Sequence, residues 1–105
     1  MFSGGDYEEV GRWLRNFVLS HAKRENPRAE AVVDMEGPHE GQSYGVRVRL
    51  GAHVMPPLEQ PPLTLPFLEV ADQRGGLHWC NTLAARVRAL VRAGTEAHQG
   101  SQRSA

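Results

Sequence analysis

Apolar positions near the amino end recur every three or four residues: Tyr7, Val10, Trp13, Leu14, Phe17, Val18 and His21. That spacing gathers them on one side of a helix. Asp6 stands where a side-chain oxygen can accept from a free backbone N–H of the first turn. Glu9, three residues on, completes a capping-box pattern. Glu8 and Arg12 form an i,i+4 pair, and Lys23 and Arg24 fall where the helix dipole favours cations. Pro27 disfavours a helical Asn26, so the helix is predicted to stop near residue 25.

From Ala29 to Glu36 the period changes to two. Ala29, Ala31, Val33 and Met35 point one way, and Glu30, Val32, Asp34 and Glu36 the other, as in a half-buried strand. Gly37–Ser43 carries two glycines and a proline, a turn-rich link. Residues 44–51, YGVRVRLG, alternate again, with Tyr44, Val46, Val48 and Leu50 against Gly45, Arg47 and Arg49. The two strands predict a hairpin. Matching their apolar faces requires paired residue numbers with an odd sum, since a one-residue slip would bury Asp34 and Glu36. Pairing Met35 with Val46 sets Asp34 opposite Arg47 and leaves Arg49 diagonal to Glu30 and Asp34. On that register the arginines face acids across the hairpin.

Residues 52–66 hold five of the seven prolines. None has the P-x-x-P spacing that aromatic grooves recognise, and Leu58, Leu63 and Leu65 suit a stiff loop packed on the core. Residues 67–71, FLEVA, read as a short third strand, at an edge because Pro66 brings no ladder donor. A second helix is expected from near Asn81, capped by Asn81 or Thr82, with Leu83, Val87, Leu90 and Val91 buried and Gly94 as its stop. Residues 95–105 are polar and read as a disordered tail.

The resulting expectation is an α+β fold in α-β-β-β-α order, one domain over residues 1–94. It is a two-layer sandwich with two helices on one face of a three-stranded antiparallel sheet. This order is similar to that of double-stranded-RNA-binding domains, over residues 6–93 and in topology alone. In that family the second helix opens with lysines that reach phosphates; here the matching stretch is Cys80-Asn81-Thr82-Leu83, and the chain's one lysine is Lys23.

Charge changes the picture locally. The formal net charge is zero, so no global field draws in nucleic acid or membrane. Between Gln73 and Thr95, however, stand Arg74, Arg86, Arg88 and Arg92 with no acidic residue. A length of 105 residues suits one modest core, and 40% hydrophobic with 23% charged residues suits a globular chain. No apolar run has the length of a membrane span, and residues 1–25 lack a signal peptide's pattern. A lone Cys80 cannot form an internal disulfide, so a cytoplasmic setting is expected.

Several residues invite a chemical reading. His78-Trp79-Cys80 precedes the expected helix, where a thiolate would be stabilised. An inert, packed cysteine is the plainer reading of Cys80. The five histidines show no metal-binding spacing, His21 belongs to an apolar stripe, and Asp34, Glu36, His39 and Glu40 read as a solvated turn. No metal or cofactor is expected. Ser3-Gly4-Gly5-Asp6 lacks the preceding strand and following lysine of a phosphate cradle and reads as a flexible lead-in. Arg88 and Arg92 lie four apart with Ala85 and Ala89 nearby, and Arg86 flanks the buried stripe. Such a face can meet phosphates or an acidic partner, or can simply be solvated.

Three function classes follow, in order. The first is a non-enzymatic protein-interaction module, binding another protein or itself through the alanine-lined helix. The second is a nucleic-acid or anion binder using Arg74, Arg86, Arg88 and Arg92. The third is an enzyme built on Cys80 and His78.

Overall fold

The computed structural model describes residues 6–103, with side chains through residue 97. The Ser3-Gly4-Gly5 lead-in and His98's side chain therefore lie outside the described residues. The order is α1 (Tyr7–Glu25), β1 (Glu30–Asp34), a 3₁₀ turn (Gly37–His39), β2 (Ser43–Leu50), β3 (His53–Met55), β4 (Leu63–Pro66), α2 (Phe67–Gln73) and α3 (Leu77–Arg103).

The fold is α+β with an antiparallel sheet, as the alternation of apolar positions requires. β2 is central. β1 covers one of its edges, and β3 and β4 share the other, pairing with its last and first halves respectively. The third lane of the sheet is thus one strand broken by the loop 56–62. Val10, Leu14 and Val18 of α1, Val46 and Val48 of β2, and Val87 and Val91 of α3 form the core, all but Val48 fully buried. Ala31 and Val33 of β1 and Met35 just past its end pack on it, so α1 and α3 cover the same sheet face.

α1 begins as its sequence predicts: Asp6 Oδ1 accepts from the Glu9 N–H at 2.7 Å. It ends at Glu25, before the Asn26-Pro27 pair. α1 and α3 run parallel, since early residues meet early ones and late meet late. Trp13 stacks on Trp79 with centroids 6.3 Å apart, and Asn26 Nδ2 donates to Thr95 Oγ1 at 3.2 Å. Near the start of α1, Tyr7 and Tyr44 stack at 4.7 Å with Phe67 edge-on to Tyr7. The Tyr44 hydroxyl donates to the Tyr7 carbonyl at 2.6 Å. The Tyr7 hydroxyl sits among the carbonyls of Met35, His39 and Ser43, nearest Ser43 at 2.5 Å. These contacts close one end of the sandwich.

Four local expectations are corrected. First, the hairpin keeps the predicted face parity but is shifted by two residues: Val33 pairs with Val46 and Val32 with Arg47, while Asp34 meets Gly45. Parity fixes which face is buried and leaves even shifts open. The longer link that results turns on Gly37 and Gly41, both at positive φ.

Second, residues 67–71 are helical. Phe67, Val70 and Ala71 meet the core at i, i+3 and i+4, whereas a strand would have turned Glu69 to the same side as Phe67 and Ala71. Short apolar runs of this kind are ambiguous between the two periods. Third, the segment 52–66 carries β3 and β4, which leaves the irregular loop at 56–62. Leu63 and Leu65 join the core as expected, but Leu58 is 75% exposed. Fourth, α3 starts at Leu77, so Asn81 and Thr82 lie inside it, and it passes through Gly94 to Arg103. Gly94 faces Leu50 and Met55 across a close helix–sheet contact.

Candidate binding groove

The two arginines of β2 separate in role. Arg49 pairs with Glu30, its direct neighbour across the hairpin. Its guanidinium holds the Glu30 carboxyl below the ordinary range, by hydrogen bonding first and by charge second. Arg47 has no acid. It donates to the carbonyls of Pro56, Pro57 and Gln60 at 2.7, 2.8 and 2.9 Å. Asp34, its expected partner, instead accepts from the Glu36 N–H at 3.0 Å. Arg47 therefore staples the proline-rich loop to the sheet. A guanidinium suits this use because its fixed fork presents several donors at once.

The stapled loop is a wall between two depressions. On the sheet face away from the helices it bounds a trough of about 470 Å³ floored by Val32, Gly45 and Val54, with Asp34, His39, Leu58 and Pro62 around it. His39 and Pro62 lean so closely over Gly45 that a Cβ there would meet them at 2.8 and 3.0 Å. On its other side the loop faces α3 across a groove of about 340 Å³. Pro56, Pro61, Pro62 and Leu63 form one wall, Ala89 and Leu90 the other, and Arg86 stands at the rim. Arg86 also borders the neighbouring small cleft beside Leu65, Trp79 and Thr82.

The four candidate arginines are not brought together. Arg74 closes α2 and lies 3.6 Å from Glu9. Arg92 is bound to Glu25 of α1. Arg88 shares the α1 side of α3 and acts electrostatically on His21. Arg86, two residues before Arg88 and so about 200° away around the helix, is exposed and has no carboxylate partner among the described residues.

Cys80 is half-buried, and its thiol donates to the Arg74 carbonyl at 3.3 Å. His78, two positions earlier on α3, is exposed and on another side of the helix. Among the described residues no group of three or more His, Cys, Asp or Glu side chains is placed to hold a metal ion. Among the described residues no helix is long and apolar enough to cross a membrane.

An aromatic seam between α1 and α3 escaped the sequence reading. Trp13 stacks on Trp79 and on Phe17, and Phe17 meets the His21 ring at 4.4 Å. Desolvation holds the His21 imidazole below its ordinary pKa, helped by Arg24 and Arg88, and its buried Nδ1 has no hydrogen-bond partner. The spacing of Trp13, Phe17 and His21 carries the signal for the seam, but their partner Trp79 lies inside α3 and not ahead of the helix as its sequence predicts. The groove was hidden for a different reason: it joins prolines to a helix face some 30 residues later. Compared with known proteins, the chain matches no family model, no curated protein and no solved structure.

Proposed function

We propose that the chain is a small non-enzymatic protein-interaction module that receives a segment of another protein in the groove between the loop 56–62 and α3. One observation carries this reading: an apolar groove, with a wall held in place by Arg47, ends on an exposed guanidinium that lacks a carboxylate partner among the described residues. A preset wall reduces the ordering cost of binding. The divergence of the arginines favours a protein partner over a nucleic acid, because tracking a phosphate chain requires several cations on one face. Cys80 supports nucleophilic chemistry less well, since its thiol hydrogen is directed to a backbone carbonyl.

A different protein fits better than a second copy. The N–H of Phe67 donates to Gln42; by antiparallel alternation Leu63 and Leu65 bond inward to β2, and Thr64 alone turns both backbone groups to the open edge of β4. Pro62 and Pro66 flank it without donors, which blunts that edge. Self-pairing of β1 about Val32 would set Glu30 of one copy against Asp34 of the other, a like-charge contact.

Panning a random displayed-peptide library against the protein tests the proposal. Selected peptides should shift the backbone amides of Leu63, Arg86, Ala89 and Leu90, and Leu90→Asp should abolish their binding. Peptides that instead shift the far-face trough or the aromatic seam, or a library that yields no binder, would remove the proposal. Sedimentation at several concentrations should show a monomer.

A further inference from the structure

We infer that the segment received by this groove is apolar with a carboxylate at the position of Arg86: an acidic, leucine-like stretch rather than a neutral or basic one. The inference rests on the interaction-module reading and names the chemistry of the partner.

The polar inventory of the groove decides the sign. Proline rings make up most of the loop wall, and proline has no backbone N–H. The carbonyls of Pro56 and Pro57 are already engaged by Arg47. On the opposite wall Ala89 and Leu90 lie within α3, where helix bonds occupy the backbone. Among the described side chains that line the groove Arg86 is therefore the sole polar group, and a guanidinium only donates. The complement of that guanidinium is an acceptor, and an anion is the strongest one available. The nearest acid in the adjoining cleft, Glu69, accepts from Trp79 Nε1 at 3.0 Å. Among the described residues no side-chain acceptor lines the groove to hold a cation. The rest of the surface is rings, methyls and methylenes, which reward apolar side chains by burial.

Two peptides that differ in one group provide the test: N-acetyl-Leu-Leu-Glu amide and N-acetyl-Leu-Leu-Gln amide, titrated against the full chain at low salt while backbone amides are followed by NMR. Both should shift Leu63, Ala89 and Leu90. The acid should bind about five-fold tighter, the upper end for an exposed charge-assisted contact. Arg86→Gln should bring the acid down to the level of the amide peptide and leave the latter unchanged. Arg88→Gln, on the other side of the helix, should change neither. Equal binding of acid and amide in the groove would overturn the carboxylate inference and leave the interaction site standing. Failure of both peptides to shift groove amides would overturn the two together.

Discussion

Replacing Arg47 with methionine keeps the aliphatic stem and removes the fork that holds the proline-rich loop. Three charge-assisted hydrogen bonds to backbone carbonyls are lost, two of them part-buried and the third exposed. Bonds from charged donors contribute roughly 1.5–3 kcal/mol when buried. Here the freed carbonyls can regain water, so about 1 kcal/mol for each part-buried bond and less for the exposed one is reasonable, a loss of about 2–3 kcal/mol in all. Urea unfolding measures the total. Amide exchange locates it, because the Gln60 N–H donates within the loop to Pro57 at 2.9 Å and should lose protection as the loop loosens. Arg47→Lys, with one compact ammonium, should recover less than half. Asp34→Asn is the control: Asn retains the oxygen that accepts from Glu36, so stability should change by less than ~0.5 kcal/mol. If Arg47→Met lies within ~0.5 kcal/mol of wild type with Gln60 protection intact, or if Asp34→Asn matches its loss, the staple account is wrong.

Further outcomes follow from two glycines and a histidine. Gly11→Ala should destabilise by about 1–2 kcal/mol in urea unfolding. Its Cβ would stand 2.9 Å from the Tyr44 ring and 2.6 Å from Met35, and this overpacking outweighs the better helix propensity. Gly94→Ala should stabilise by about 0.5–1 kcal/mol, since its Cβ would meet Met55 and Leu50 at ordinary contact distances of 3.5 and 3.8 Å within a continuous helix. His21, whose pKa is depressed in the fold, leaves the native state binding fewer protons than the unfolded chain. Its contribution to stability is complete above its ordinary pKa of about 6.5 and lost as pH falls below it. His21→Leu should flatten that acid-side slope of unfolding free energy, and an unchanged slope would refute the assignment.

The parts of this fold legible in sequence are those governed by local periodicity. The α1 stripe, its Asp6 cap, its stop before Pro27 and the alternation of β1 and β2 depend on neighbours within a few residues. The two-residue register shift was not legible, because both registers bury the same side chains and differ only in the link, where Gly37 and Gly41 permit a wider turn. FLEVA misled because five residues fit either period; the decision came from where Phe67 and Val70 meet Tyr44 and the core. Gly94 read as a helix stop because glycine serves that role at many helix ends, whereas here it faces β2 and β3 across the core. The arginines show the same limit. Their grouping between Gln73 and Thr95 is linear, and the helix turns Arg86 away from Arg88 and Arg92.

The two halves of the proline-rich wall connect these readings. Pro62 borders both the far-face trough and the α3 groove, and Arg47 grips the loop from the trough side without lining the groove. Groove geometry therefore depends on a side chain that a ligand there would not touch. If Arg47→Met lets the loop leave its bound-ready position for half to four-fifths of the time, apparent affinity falls by the same population factor, about two- to five-fold. Linkage requires the converse as well: an occupant that needs the wall in place must raise Gln60 amide protection in the wild-type chain. Titrating the leucine–glutamate peptide against wild type and Arg47→Met, with exchange followed at Gln60, reads both directions of that coupling. Equal affinities with a loosened loop would show that the wall contributes nothing to binding, and that the partner rests on α3 alone.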